Sequence, residues 1–166
     1  FADPSDPAKG IVFDGRLAED FKLATGTWVA VGVLRVGLLA AASPALQDAI
    51  IAGENRDSIG MLAWLNRAAC CKLVGCEATL SELARHPAIR EHVHAAIARW
   101  NADHPGSSQK ITRVVLLPDA PSIDANEITD KGYINQRLAL ERRKADVERL
   151  FAAAPDADVL VVSFAP

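Results

Sequence analysis

The sequence has few aromatic residues, no excess of basic charge and no long uninterrupted apolar run. Aromatic residues make up 5% of the chain, which argues against a surface that stacks nucleic-acid bases. The formal net charge is −3, so the sequence does not indicate the basic face that a nucleic-acid-binding protein needs. Charges, prolines or glycines interrupt every apolar stretch well before the roughly 18 residues that a transmembrane helix requires, so none is predicted.

Cysteine is also scarce. Cys70, Cys71 and Cys76 are odd in number and lack the spacing of a disulfide framework, so we expect a reducing, cytoplasmic setting. They also lack the Cys-x-x-Cys pairs of a zinc site. His92 and His94 are two positions apart on a predicted helix and point in different directions. We therefore expect this chain to bind no metal.

The composition is that of a globular protein of about one domain. Half of the 166 residues are hydrophobic and 23% are charged, which allows a substantial core. The chain begins at Phe1 in a stretch rich in proline and aspartate, without the basic start and apolar run of a signal peptide. We expect residues 1–10 to be a connector from a preceding N-terminal domain, and residues 11–166 to form the domain itself.

Short strands and helices alternate along the chain. Apolar runs bounded by turn residues predict β-structure over 11–29, 46–52, 59–65, 111–117 and 159–164, the last as an edge strand. Helical spacing of apolar residues predicts helices over 31–42, 67–104 and 135–153, with a break at His86-Pro87. Because hairpins are interleaved with helices, we expect an α+β fold. Its parts would be a small β-hairpin and a mixed or antiparallel sheet of about three strands, flanked by helices.

Two polar segments carry the candidate functional residues. Lys131 lies in a loop just before a predicted helix, where its mobile charge could reach a phosphate or a developing carboxyl–phosphate anhydride. Residues 15–26 place an arginine, two acids and a lysine between glycines. There, Arg16 could bind ribose hydroxyls or phosphate, and Glu19-Asp20 could form a hinge. The alternatives are an exposed turn lysine and a charged surface hairpin, and the run 141–144 is interpreted as a solvated helix face.

Together the two segments resemble the motifs of adenylate-forming enzymes. The string GRLAEDFKLATGTWV resembles the hinge motif of that superfamily, and ITDKGYINQR resembles its C-terminal lysine motif. Their order and interval are similar to those of the superfamily's mobile C-terminal domain. More closely, FDGRLAEDFKLATGTWV, PSIDANEITDKGYINQR and LALERR resemble the feruloyl-CoA synthases, a branch of the acyl-CoA synthetases.

The resemblance implies a two-step reaction for the complete enzyme. ATP with Mg²⁺ and a carboxylic acid, here ferulate or a related phenylpropenoic acid, give an acyl adenylate and pyrophosphate. Coenzyme A then displaces AMP to give the thioester, as in the catabolism of aromatic acids. The phosphate loop and the acyl pocket of the superfamily belong to the N-terminal adenylation domain, the implied partner of this chain. The chain alone is therefore expected to be inactive.

The resemblance also implies roles for individual residues. Lys131 would be the adenylation lysine, which stabilises charge on the carboxylate–phosphate centre. Arg16 would meet the nucleotide ribose near the hinge. The hinge itself would be Glu19 or Asp20, with Ala18 as the remaining candidate.

On the other face, Lys22, Gly26 and Trp28 would belong to the loop that lines the coenzyme A tunnel in the second step. Two further functions stay open for the chain. It could belong to an adenylation domain that passes its acyl group to a carrier protein or a reductase. It could also be a stand-alone binding module without chemistry.

Overall fold

The structure, a computed structural model, describes residues 19–162. Its strands are β1 (Phe21–Lys22), β2 (Trp28–Val29), β3 (Leu46–Ala52), β4 (Ile59–Leu65), β5 (Ile111–Leu116) and β6 (Val159–Val161). Its helices are α1 (Val31–Ala41), α2 (Arg67–Val74), α3 (Leu80–Arg85), α4 (Pro87–Asp103), α5 (Gln136–Arg142) and α6 (Lys144–Leu150). The expected α+β class is confirmed. Within residues 19–162, no helix has the length and apolar character needed to cross a membrane.

The strands form a two-stranded hairpin and a four-stranded mixed sheet. In the sheet, β3 and β4 are antiparallel, β4 and β5 are parallel, and β5 and β6 are antiparallel. Helices α2 to α4 connect the two parallel strands. The sheet thus has one strand more than the approximate number expected. The edge strand predicted over 159–164 is confirmed as β6, one of the two edge strands, whereas residues 163–164 lie outside the described residues. The predicted hairpin over 11–29 is confirmed from residue 21 onward, whereas residues 11–18 lie outside the described residues.

Both faces of the sheet are covered. In β3, Ala49 and Ile51 belong to the core cluster that includes α1 and α4, and Ile50 and Ala52 belong to the cluster on the α5–α6 side. Burial on both faces explains why β3 and β4 are nearly continuous apolar runs in the sequence rather than alternating ones.

Two predicted helices are divided in the structure. The helical stretch over 67–104 breaks at His86 as predicted, and it also breaks after α2, where Gly75 has a φ of 73°. Thr79 and Glu82 then start α3 with reciprocal capping hydrogen bonds. The helix predicted over 135–153 is interrupted at Arg143, whose φ of −89° and ψ of 23° separate α5 from α6. Arg143 is also the residue whose side chain is drawn into a buried ion pair.

Candidate functional site

The β1–β2 hairpin presents a basic and an aromatic side chain on its exposed face. Lys22 lies opposite Trp28 in the strand register, and the Lys22 Nζ atom is 5.7 Å from the centroid of the Trp28 ring. Trp28 is 48% exposed. Gly26, with a φ of 81°, closes the turn by donating its N–H to the Leu23 carbonyl. The structure thus brings Lys22 and Trp28 together, with Gly26 at the tip of the same hairpin.

The two candidate hinge residues contact helix α1. The Asp20 carboxylate accepts a hydrogen bond of 2.9 Å from the N–H of Val31, the first residue of the helix. The Glu19 carboxylate lies 3.8 Å from the Arg35 guanidinium, one turn further along α1. An anion at a helix N-terminus is favourably placed in the field of the helix. A rotation of the backbone at these two residues would have to move both carboxylates relative to α1.

The hairpin is fixed to the main sheet through the β3–β4 loop. The N–H of Ala24 donates to the Arg56 carbonyl, and the N–H of Asn55 donates to the Lys22 carbonyl. Gly53, in the same loop, has no room for a side chain, since a Cβ atom would lie 2.8 Å from the Ser58 carbonyl oxygen. The hairpin therefore has a defined position on the domain.

Lys131 lies at the tip of a second, smaller hairpin. Ile128 and Ile134 pair antiparallel, and the N–H of Thr129 donates to the Tyr133 carbonyl. The N–H of Gly132 returns to the Thr129 carbonyl at 2.9 Å, and Gly132 has a φ of 79°. A turn that ends in a left-handed glycine is a common three-residue hairpin loop. Lys131 is exposed there, on a tip that a short ladder holds in place.

A buried ion pair anchors the loop that carries this tip. Glu127 is fully buried, and its carboxylate accepts from Arg143 Nε at 2.7 Å and from Arg143 Nη2 at 3.1 Å. It also accepts from the N–H of Ser122 at 2.8 Å, while Arg143 Nη1 donates to Asp119 at 2.7 Å. The guanidinium of Arg143 therefore ties the start and the middle of the loop between β5 and α5 to the start of α6.

The expectation of a solvated face over 141–144 is wrong for Arg143, which is only 8% exposed. Burial alone would lower the pKa of the Arg143 guanidinium. Hydrogen bonds and charge from Asp119 and Glu127 outweigh burial and raise that pKa above its usual range. Arg143 is thus a permanent cation whose role is to hold the Lys131 loop.

Gln136, the first residue of α5, joins the same loop to the main sheet. Its side-chain amide accepts from the N–H of Ile51 at 3.1 Å and donates to the Ile51 carbonyl at 2.6 Å. The side chain therefore makes the two backbone hydrogen bonds that a neighbouring strand would make with the outer edge of β3. It is buried there, at 2% exposed. Asn135 caps the helix by accepting from the N–H of Leu138. Lys131 lies only a few residues before this double anchor.

A cleft of about 430 Å³ lies between the β1 hairpin, the end of β3 and helices α5 and α6. Its lining mixes apolar side chains with three acids and three bases; the charged residues are Glu19, Asp20, Glu54, Arg56, Arg137 and Lys144. The two candidate hinge residues thus lie at one side of the cleft and the start of α5 at the other. Among residues 19–162, no three histidine, cysteine or acidic side chains are grouped as metal ligands.

Of the residues given a role in the two-step reaction, six fall within the described range. Lys22, Gly26 and Trp28 share the first hairpin, Glu19 and Asp20 directly precede it and contact α1, and Lys131 is on the second hairpin. Arg16 and Ala18, the remaining hinge candidate, lie outside the described residues. Sequence analysis missed the residues that hold the second hairpin in place, namely Asp119, Glu127, Gln136 and Arg143.

Residues 33–155 match the family described as AMP-binding enzyme C-terminal domain. Because this match covers well over half of the chain, the chain belongs to that family. No curated protein matches the sequence.

Solved structures share the fold at low sequence identity. The A domain of carboxylic acid reductase from Segniliparus rugosus, in complex with AMP and a co-purified carboxylic acid, matches with a TM-score of 0.65 and 17% identity over 85% of this chain and 21% of that chain. The A-PCP didomain of the same reductase, in complex with AMP, matches with a TM-score of 0.64 and 17% identity over 85% of this chain and 18% of that chain. The adenylation domain of the carboxylate reductase from Mycobacterium chelonae matches with a TM-score of 0.64 and 17% identity over 84% of this chain and 20% of that chain. The chain spans about a fifth of the length of these structures.

Proposed function

We propose that the chain is the C-terminal domain, over residues 11–166, of an acid–thiol ligase. Residues 1–10 would connect it to an N-terminal adenylation domain of the same protein. The complete enzyme would use ATP with Mg²⁺ to convert a carboxylic acid to an acyl adenylate and pyrophosphate, and coenzyme A would then displace AMP. These (co)substrates, and the three free cysteines of the chain, suit a reducing cytoplasm.

The observation that carries this proposal is the exposed Lys131 on an anchored hairpin. A lysine that is to stabilise charge at a reacting centre in another domain must project from the surface and yet have a defined position. The Thr129–Tyr133 ladder and the buried Glu127–Arg143 pair supply that position. In the adenylation pose, Lys131 Nζ would contact the acyl carboxylate and the α-phosphate, where negative charge accumulates.

The second step would use the β1–β2 hairpin. After a rotation at Glu19 or Asp20, the exposed face of Lys22 and Trp28 would line the path of the pantetheine arm, with the Gly26 turn beside it. Domain closure of this kind completes a catalytic site and excludes water. Arg16, outside the described residues, is proposed to bind the nucleotide ribose near the hinge.

For the acid we propose ferulate or a related phenylpropenoic acid, as part of aromatic acid catabolism. The support is the resemblance of three strings of the sequence to feruloyl-CoA synthases. The second candidate is an adenylation domain that feeds a carrier protein or a reductase. The three solved structures described above come from carboxylic acid reductases, and this is the reason to keep that candidate.

One assay on the full-length enzyme separates the two candidates. The enzyme is given ATP, Mg²⁺ and ferulate, with or without coenzyme A, and the products are resolved by liquid chromatography and mass spectrometry. The proposed ligase forms AMP, pyrophosphate and feruloyl-CoA in equal amounts. Adenylation without any thioester on coenzyme A would favour the carrier-linked candidate, and no ferulate-dependent pyrophosphate release would remove ferulate as the substrate.

A further inference from the structure

The end of helix α2 brings two of the three cysteines together. Gly75 adopts a left-handed conformation, and the N–H groups of Gly75 and Cys76 both donate to the Cys71 carbonyl, at 2.9 and 3.3 Å. This is the hydrogen-bond pattern of a glycine-terminated helix end. An apolar contact between the residues at the positions of Cys71 and Cys76 frequently accompanies such an end.

The two thiols differ in exposure, although both line one open surface pocket together with Arg67 and Lys72. Cys76 is exposed, whereas Cys71 is buried at 8% exposed and its Sγ donates to the Ala78 carbonyl at 3.7 Å. A Cβ atom placed on Gly75 would have no neighbour within 4 Å, so nothing crowds the turn between the two thiols. A disulfide requires Cα atoms about 4.4–6.8 Å apart, and a direct backbone hydrogen bond already joins these two residues.

Cys70, the adjacent residue, is in a different environment. It is fully buried, and its Sγ donates to the Ala45 carbonyl at 3.4 Å. Burial, with a smaller contribution from Cys71, raises the pKa of the Cys70 thiol to about 11. A buried thiol that stays protonated is a poor nucleophile. The chain therefore contains its own unreactive reference cysteine beside the pair.

We propose that Cys71 and Cys76 form a dithiol site that reacts with small-molecule disulfides such as oxidised glutathione. The Cys76 thiolate attacks one sulfur of oxidised glutathione, which breaks the S–S bond and releases one glutathione as thiolate. The Cys71 thiol then loses its proton and attacks the Cys76 sulfur of the mixed disulfide, which releases the second glutathione. The protein dithiol is oxidised to a Cys71–Cys76 disulfide, and one disulfide is reduced to two glutathione molecules, which take up the two protons.

The sequence supplies a sharp test on the 166-residue chain, because Lys72 lies between the two cysteines. Trypsin cuts after Arg67, Lys72 and Arg85, so reduced protein gives the separate peptides AACCK and LVGCEATLSELAR. After incubation with oxidised glutathione, the protein is denatured, alkylated and digested without reductant. We expect two of the three thiols to be lost, the two peptides to stay joined until they are reduced, and fragmentation to place the alkyl group on Cys70.

Matched variants complete the test. Cys70→Ser keeps the joined peptides, whereas Cys71→Ser and Cys76→Ser each abolish them. The wild-type alkylation pattern stands even if a variant folds poorly. Glutathione attached to Cys76 without joined peptides would overturn the proposal. So would an alkyl group on Cys71, or joined peptides in Cys71→Ser, because Cys70 would then be the partner.

Discussion

Glu127→Gln replaces a fully buried carboxylate by a neutral side chain of nearly the same shape. The carboxylate accepts from two nitrogens of Arg143 and from the N–H of Ser122, and it lies 3.3 Å from Arg142 Nε in a second ion pair. The amide keeps one oxygen acceptor, but its NH₂ group must then face a donor. The substitution therefore breaks the ion pair without opening a cavity.

The expected loss of folding free energy follows from these contacts. Removing one partner of a buried ion pair typically costs about 3–5 kcal/mol. Arg143 keeps its 2.7 Å contact to Asp119, whose side chain is half exposed, so part of its charge stays compensated. We therefore expect a loss near the lower limit, about 3 kcal/mol. For a domain of this size, that loss lowers the melting temperature by roughly 6–12 °C.

The measurement is urea unfolding of the 166-residue chain, followed by circular dichroism. Glu141→Gln, at an exposed position of α5, is the matched control and should stay within about 0.5 kcal/mol of wild type. Arg143→Met alone leaves the buried carboxylate of Glu127 without its partner. Adding Glu127→Leu to Arg143→Met should recover part of the folding free energy that Arg143→Met loses, because the double variant has no buried carboxylate at position 127. A loss below about 1 kcal/mol for Glu127→Gln would refute the view that this pair anchors the loop.

Three further predictions concern other parts of the domain. Burial raises the pKa of Asp48 above 3.8, although the hydrogen bond from the N–H of Ala49 and the charge of Arg35 lower it. Ionisation of Asp48 therefore lowers the stability of the fold as the pH rises from 3.8 through the raised pKa. Asp48→Asn keeps an acceptor for Ala49 and should gain stability over wild type more at pH 7 than at pH 3 in urea titrations; an equal difference at both values would contradict this. Trp28→Ala should raise KM for coenzyme A about fivefold, because the loss of an aromatic contact costs roughly 1 kcal/mol of binding free energy. ATP–pyrophosphate exchange should stay unchanged, and a parallel fall in exchange would argue against a role confined to the second step. Gln136→Ala should cost about 2–3 kcal/mol and speed hydrogen exchange at the Ile51 amide, and unchanged protection there would disprove the edge-strand role.

The predictable part of the fold is the part that local sequence determines. Nearly continuous apolar runs over 46–52 and 59–65, separated by a short polar stretch, predict the β3–β4 hairpin because such runs suit strands buried on both faces. The capping residues Thr79 and Glu82 are a local signal for the start of α3, which divides the helical stretch predicted over 67–104. The division of the last charged helix was not predictable from periodicity, because the interrupting residue is an arginine with good helix propensity.

The anchors of the candidate site depend on contacts between distant residues. Glu127 and Arg143 lie in segments that each look solvated by composition, and only the fold brings them together. One signal was present: Arg143 occupies the apolar stripe of its helical segment, four residues after the buried Ala139 and seven before the buried Leu150. A charged residue in such a stripe indicates a buried partner. The motif around Lys131 predicts an exposed loop, but not how that loop is held.

The most direct test of the account is a comparison of the two half-reactions in the full-length enzyme with Lys131→Ala. ATP–pyrophosphate exchange with ferulate reports the first half-reaction, and thioester formation from presynthesised feruloyl-AMP and coenzyme A reports the second. Lys72→Ala, an exposed lysine on α2, is the control and should leave both rates unchanged. We expect Lys131→Ala to lower exchange by about 10²–10³-fold and to leave transfer within a few-fold of wild type. Exchange at the wild-type rate in Lys131→Ala would contradict the account, because the adenylation lysine would then be another residue.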